Sequence, residues 1–125
     1  MNALEKKQLN LLVHLAKVDG KFEKSEKELL KLFMAEKRLD QNYSLEANQP
    51  VDFSDLTGAD EKIELLYWAL RMIQADKIIH DKEILFCKKI ASKLNFKTEC
   101  IDHYAHKPLP SFEIFEEEIK EYQFI

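Results

Sequence analysis

Turn-forming residues are scarce in this 125-residue chain, which holds two glycines and three prolines. Sandwiches and barrels need many tight turns, so the composition excludes an all-β fold. Gly20 and Gly58 lie far apart, and there is no G-x-G-x-x-G loop, phosphate-cradling P-loop or G-x-S-x-G nucleophile elbow. The two cysteines, Cys87 and Cys100, form no C-x-x-C pair, so a disulfide framework is not indicated and a reducing compartment is expected. The longest uninterrupted apolar run, Leu65 to Leu70, is far below the ~18 residues that cross a bilayer. No apolar segment follows the opening Met-Asn-Ala-Leu-Glu-Lys-Lys, so neither a secretory signal nor membrane insertion is expected, and the expected location is cytoplasmic. A basic excess is also missing: 19 basic residues face 23 acidic ones, a net charge of −4. Nucleic acid is therefore not an expected partner.

What the chain has in quantity is apolar and charged residues, 46% and 34%. That balance predicts one globular domain over residues 1–125, with a real core and a solvated surface. Leu4, Leu11, Leu12, Leu15 and Val18 recur at helical spacing, with Leu9, Val13 and Ala16 widening the stripe and Gln8 as its one polar member. A helix over about 2–18 should end at Asp19-Gly20, glycine suiting the left-handed position after a helix. Further helices are expected from about Lys24 to Arg38 (Leu29, Leu30, Phe33 and Met34 inward) and over about 60–75 (Ile63, Leu66, Tyr67, Leu70 and Ile73). A fourth, over about 81–94, carries Ile84, Leu85, Cys87, Ile90, Ala91 and Leu94, with Asn95 as its C-cap. A short fifth helix falls at 98–106. The last runs over about 111–122 from Ser111, bearing Phe112, Ile114, Phe115 and Ile119. Residues 39–58 read as an irregular polar connection. The fold class expected is all-α, a compact bundle of about six helices.

The chain also repeats itself. A shift of 57 residues lays Asp19 on Asp76, Glu26 on Glu83 and Lys31 on Lys88, and it matches Leu15 with Met72, Phe22 with Ile79 and Phe33 with Ile90. Two helical hairpins of one design, packed about a pseudo-twofold axis, account for the pattern.

Leu15-Ala16-Lys17-Val18-Asp19-Gly20-Lys21-Phe22 through Glu26 resembles the first signature of the TerB-like tellurite-resistance family, roughly A-x-A-D-G-x-h-x-x-x-E with h apolar. Ile73-Gln74-Ala75-Asp76 through Glu83 resembles its second copy. The resemblance covers residues 1–95 well and the last thirty weakly. Lys77 departs from the family's usual glycine, and Glu23 and His80 from its usual aspartate. The resemblance implies a helical bundle without catalytic activity, encoded among tellurite-resistance and stress-response genes, with metal or metalloid sensing through its signature acids.

Two readings of Asp19, Glu26, Asp76 and Glu83 stand side by side. As structural acids they cap helix N-termini and complement the helix dipole, worth roughly 0.5–2 kcal/mol each. As ligands they converge where the hairpins meet, and four carboxylates brought together repel unless a hard cation such as Ca²⁺ or Mg²⁺ neutralises them. The segment is not an EF-hand: with Asp19 as position 1, Leu30 stands where the bidentate glutamate belongs. Cys100, His103 and His106 have spacings that could suit Zn²⁺, yet only one thiolate is present, and surface histidines beside a half-buried cysteine are expected instead. No nucleophile comes with an orienting base, so no enzyme activity is expected. The functional expectation is a stress-response binding module holding a divalent metal ion at its acidic turns. The alternative is a protein-interaction adapter whose acids only cap helices. A protein partner is expected on either reading.

Overall fold

The structure, a computed structural model, describes residues 3–17, 24–36, 59–75, 79 and 81–123. Six α-helices follow one another: α1 Ala3–Lys17, α2 Lys24–Glu36, α3 Ala59–Gln74, α4 Asp81–Lys93, α5 Glu99–Ala105 and α6 Phe112–Glu118. A 3₁₀ turn, Ile119–Tyr122, continues α6. The fold is all-α, as the helical periodicity predicts. No helix among the described residues is long and apolar enough to cross a membrane. The polar connection at 39–58, the turn at Asp19-Gly20 and the outer stripe position Val18 lie outside the described residues.

The 57-residue period reappears in the helices. α2 and α4 both have 13 residues and start 57 apart, while α1 and α3 end 57 apart. Their burial follows the same period. In α1, Gln8, Leu9, Leu11, Leu12, Val13, Leu15 and Ala16 are buried. The positions 57 further on, Leu65, Leu66, Trp68, Ala69, Leu70, Met72 and Ile73, are the buried ones of α3, apart from Ile63 at its start. α2 buries Glu26, Leu30, Phe33 and Met34, and α4 buries Glu83, Cys87, Ile90 and Ala91. Packing agrees. α1 touches α2, α3 and α4, and α3 touches α4, α1 and α2, so exchanging the halves leaves the neighbour relations unchanged. α1 and α3 also make the most extensive helix–helix contact with each other and sit at the centre of the four, so they carry wide apolar stripes, while α2 and α4 carry narrower ones.

Two of the apolar residues carried by these helices face solvent. Leu85 is 66% exposed and Ile114 53% exposed. Ile114 lies one position, about 100°, from the buried Phe115, while Leu85 lies on the side of α4 opposite its buried row. In α4 that row is Glu83, Cys87, Ile90 and Ala91, and a residue two places past Glu83 is rotated about 200° away from it.

α4 ends as its asparagine predicts. Asn95 adopts φ 66°, a left-handed conformation that asparagine tolerates better than other residues with a Cβ. Its N–H donates to Ser92 O at 3.1 Å, and Phe96 N–H reaches back to Ala91 O at 2.8 Å. These two bonds satisfy carbonyls the last turn would leave orphaned, and the buried Phe96 completes the motif. The C-terminal third then wraps back over the bundle. Lys97 N–H donates to Tyr122 O at 2.6 Å, and the Gln74 side-chain amide donates to Tyr104 O and Lys107 O at 2.7 and 2.8 Å. The Tyr67 hydroxyl donates to Pro110 O at 2.6 Å. Ser111 caps α6, its hydroxyl accepting from Ile114 N–H at 3.5 Å.

Candidate functional site

Three polar side chains are buried among the described residues: Gln8, Glu26 and Glu83. The two glutamates occupy one structural position, the third residue of α2 and of α4. A carboxylate in a first turn favours the local backbone N–H groups and the positive end of the helix dipole. That benefit does not require burial, because an exposed acid supplies it too. Glu26 is nevertheless 2% exposed and Glu83 1%. Oε2 of each is sealed from solvent and makes no hydrogen bond among the described residues, while both side chains keep other polar or electrostatic interactions.

Both first turns sit at one end of the bundle. Ser25, next to Glu26, lines a groove with Gln74 and Ala75 at the end of α3. Between α3 and α4, Cys87 Sγ lies 3.8 Å from Ala69 O. Along the antiparallel hairpin α3/α4, the residue one turn earlier in α4, Glu83, falls one turn nearer the end of α3. The elbow residues Asp19 and Asp76 lie outside the described residues, as does His80. Among the described residues no group of three or more His, Cys, Asp or Glu side chains is placed to hold a metal. The two glutamates offer only oxygen donors, which suit Ca²⁺ or Mg²⁺ rather than a thiolate-seeking ion.

No family model, no curated protein and no solved structure matches this chain. Its reading therefore rests on its own residues.

The cysteine–histidine set does not form a site. Cys100 is buried with Ile101, Tyr104 and Ala105 on the inward side of α5, whereas His103 and His106 are exposed. The His103 ring lies edge-on to Tyr104 at 4.7 Å and tilted against Tyr122 at 6.0 Å, an aromatic packing role. Trp68 is core, 3% exposed and 5.1 Å from the Phe33 ring in a T-shaped pair. The acidic run Glu116-Glu117-Glu118 is not wholly idle: Tyr104 donates its hydroxyl hydrogen to Glu118 at 2.9 Å, and Glu117 meets Lys120 at 3.3 Å.

Neither thiol is poised to react. Burial pushes the Cys100 thiol up from 9.0 to about 12. It pushes Cys87 up too, and the nearby charge of Glu83 adds to the effect. A thiol-reactive dye at neutral pH should label the native protein no faster than it unfolds, and both cysteines at once in denaturant. The sign of the pH dependence follows. A folded-state value above the unfolded one stabilises fully below the unfolded value and is lost on rising through the folded one. Stability should therefore fall between pH 9.0 and about 12, and the fall should lessen in Cys100→Ala. Equal falls in both proteins would contradict the assignment.

Proposed function

We propose that this protein is a non-enzymatic, TerB-like binding module of the cytoplasm that holds a divalent cation of the Ca²⁺ or Mg²⁺ type in stress physiology. Glu26 and Glu83 are its described ligands, and Asp19 and Asp76 complete the set from the adjoining elbows. The observation that carries the reading is the burial of two equivalent carboxylates, 2% and 1% exposed, at one end of the bundle. Withdrawing an ionised carboxylate from water costs several kcal/mol unless positive charge stands close by. Acids that serve only as caps remain at the surface at no such cost. A cation bound between the two hairpins gives that burial a purpose and ties the halves together.

The test is a set of melting curves with and without Ca²⁺, Mg²⁺, Mn²⁺ or Zn²⁺. At a hundred times Kd, a ligand of the native state adds ~2.7 kcal/mol, roughly 8–12 °C for a domain of this size. The shift should appear with a hard cation and vanish in Asp19→Ala combined with Asp76→Ala, while Cys100→Ala keeps it. No shift with any ion at millimolar concentration would leave an adapter whose acids are structural.

A further inference from the structure

The two halves share their buried positions and differ at exposed ones, several of which line one groove. On α2 the exposed positions Glu28, Leu32 and Glu36 correspond, 57 residues on, to Leu85, Lys89 and Lys93 of α4. The packing scheme therefore does not dictate what α2 presents. Along α2 a groove runs against α3, as two basins of about 730 and 480 Å³ that share Tyr67 and Arg71. One basin begins at Ser25 and the other reaches Glu36, a span of about 16 Å, or three helical turns. The C-terminal segment builds one edge with Leu109 and Phe112, held by the Tyr67 bond to Pro110 and the Tyr67–Phe112 ring contact at 5.3 Å.

Leu29, Leu32, Tyr67, Leu109 and Phe112 give the groove an apolar row among polar side chains that include Ser25 and Gln74, and Leu32 is 43% exposed. Three acids, Glu28, Glu36 and Glu64, line the groove against one lining cation, Arg71, and Lys24 stands outside the lining with its ammonium 4.0 Å from Glu28, which leaves the groove still acidic on balance. The Arg71 guanidinium lies over the Trp68 ring, 4.4 Å from its centre. A groove with an apolar row and a net acidic lining complements an amphipathic segment whose apolar row is flanked by positive charge. Helices bound the trough on both sides and offer no strand edge, so the ligand must satisfy its own backbone, which a helix does.

We propose that the α2/α3 groove docks a lysine-rich amphipathic helix of a partner protein. A second copy of this chain fits less well, because the lysine-bearing outer face of α4 offers Leu85 as its single strongly exposed apolar anchor. The inference is independent of the cation reading, so its test is run in chelator.

The probe is a synthetic peptide of about fourteen residues, leucines at helical i, i+3, i+4, i+7 spacing and lysines elsewhere, titrated calorimetrically into the whole protein. A matched peptide with glutamate for lysine is the control. The lysine peptide should bind at one site and perturb the emission of Trp68, the only tryptophan. Leu32→Glu should weaken binding at least about tenfold, the loss of one central anchor. Glu36→Lys with Glu64→Lys should weaken it by a similar factor and flatten its salt dependence. Lys89→Glu, on the corresponding face of α4, should leave it within about twofold. Absence of binding, equal binding of the glutamate peptide, or unchanged binding to a folded Leu32→Glu protein would overturn the proposal. So would concentration-dependent self-association that Leu32→Glu abolishes, since the groove would then receive a second copy.

Discussion

Phe33→Ala should cost about 3–5 kcal/mol of unfolding free energy, measured by urea denaturation with an unchanged slope. Phe33 is 1% exposed, points from α2 into the seam with α3, and forms the T-shaped pair with Trp68. Its removal deletes both the transfer energy of a large ring and a contact worth about 0.5–1.5 kcal/mol beyond area. Trp68 is itself 3% exposed and carries Arg71 over its ring, which limits how far it can move into the hole. The corresponding residue of the second hairpin is Ile90, also fully buried. Ile90→Ala should cost about 2–5 kcal/mol. A domain of this size has roughly 5–15 kcal/mol in all, so either change removes a large share and both together should prevent folding at room temperature. A loss below about 1 kcal/mol at either position would contradict the matched packing of the two halves.

The second large effect concerns the buried acids. With Ca²⁺ or Mg²⁺ present, Glu26→Ala and Glu83→Ala should each destabilise by about 3 kcal/mol, against about 0.5 kcal/mol or less for Glu28→Ala on the exposed side of α2. Magnitude separates the two roles. A surface acid that only serves the helix dipole is worth about 0.3–1 kcal/mol. A buried one leaves its interaction partners desolvated and a void behind it. Denaturant titration of the three variants reads this directly, and equal small losses at all three would make Glu26 and Glu83 ordinary caps. Glu83→Ala carries a second consequence. The charge of Glu83 helps raise the Cys87 thiol, so the variant should lower the thiol's ionisation range, visible as faster alkaline labelling of Cys87 in a Cys100→Ala background.

Much of the architecture was legible because few turn residues and strong 3.6-residue periodicity leave little choice but helices. The 57-residue period was legible too, since Leu15/Met72 and Phe33/Ile90 had to face matching neighbours. What could not be read was which edge of each stripe goes inward. Leu85 and Ile114 fit the apolar rows of their helices in one dimension, yet only the positions of α3, α5 and the returning C-terminal segment decide which row is covered. At the acidic end, spacing identified Glu26 and Glu83 as a matched pair but carried no information on burial. A glutamate in a first turn looks the same whether it meets water or the core. The groove has no sequence signature for a related reason: Leu109 and Phe112 are distant in sequence from the α2 residues they join. The Trp68/Arg71 spacing of three was the one local sign of it.

The account depends on one end of a doubled bundle bringing Glu26 and Glu83 around a shared cation. Paramagnetic broadening by Mn²⁺, read amide by amide, tests this most directly. Substoichiometric Mn²⁺ should erase the signals of the first turns of both α2 and α4 together, spare α5 and α6, and be reversed by excess Mg²⁺ or Ca²⁺. Broadening confined to the exposed Glu116–Glu118 face, or at only one of the two first turns, would contradict it.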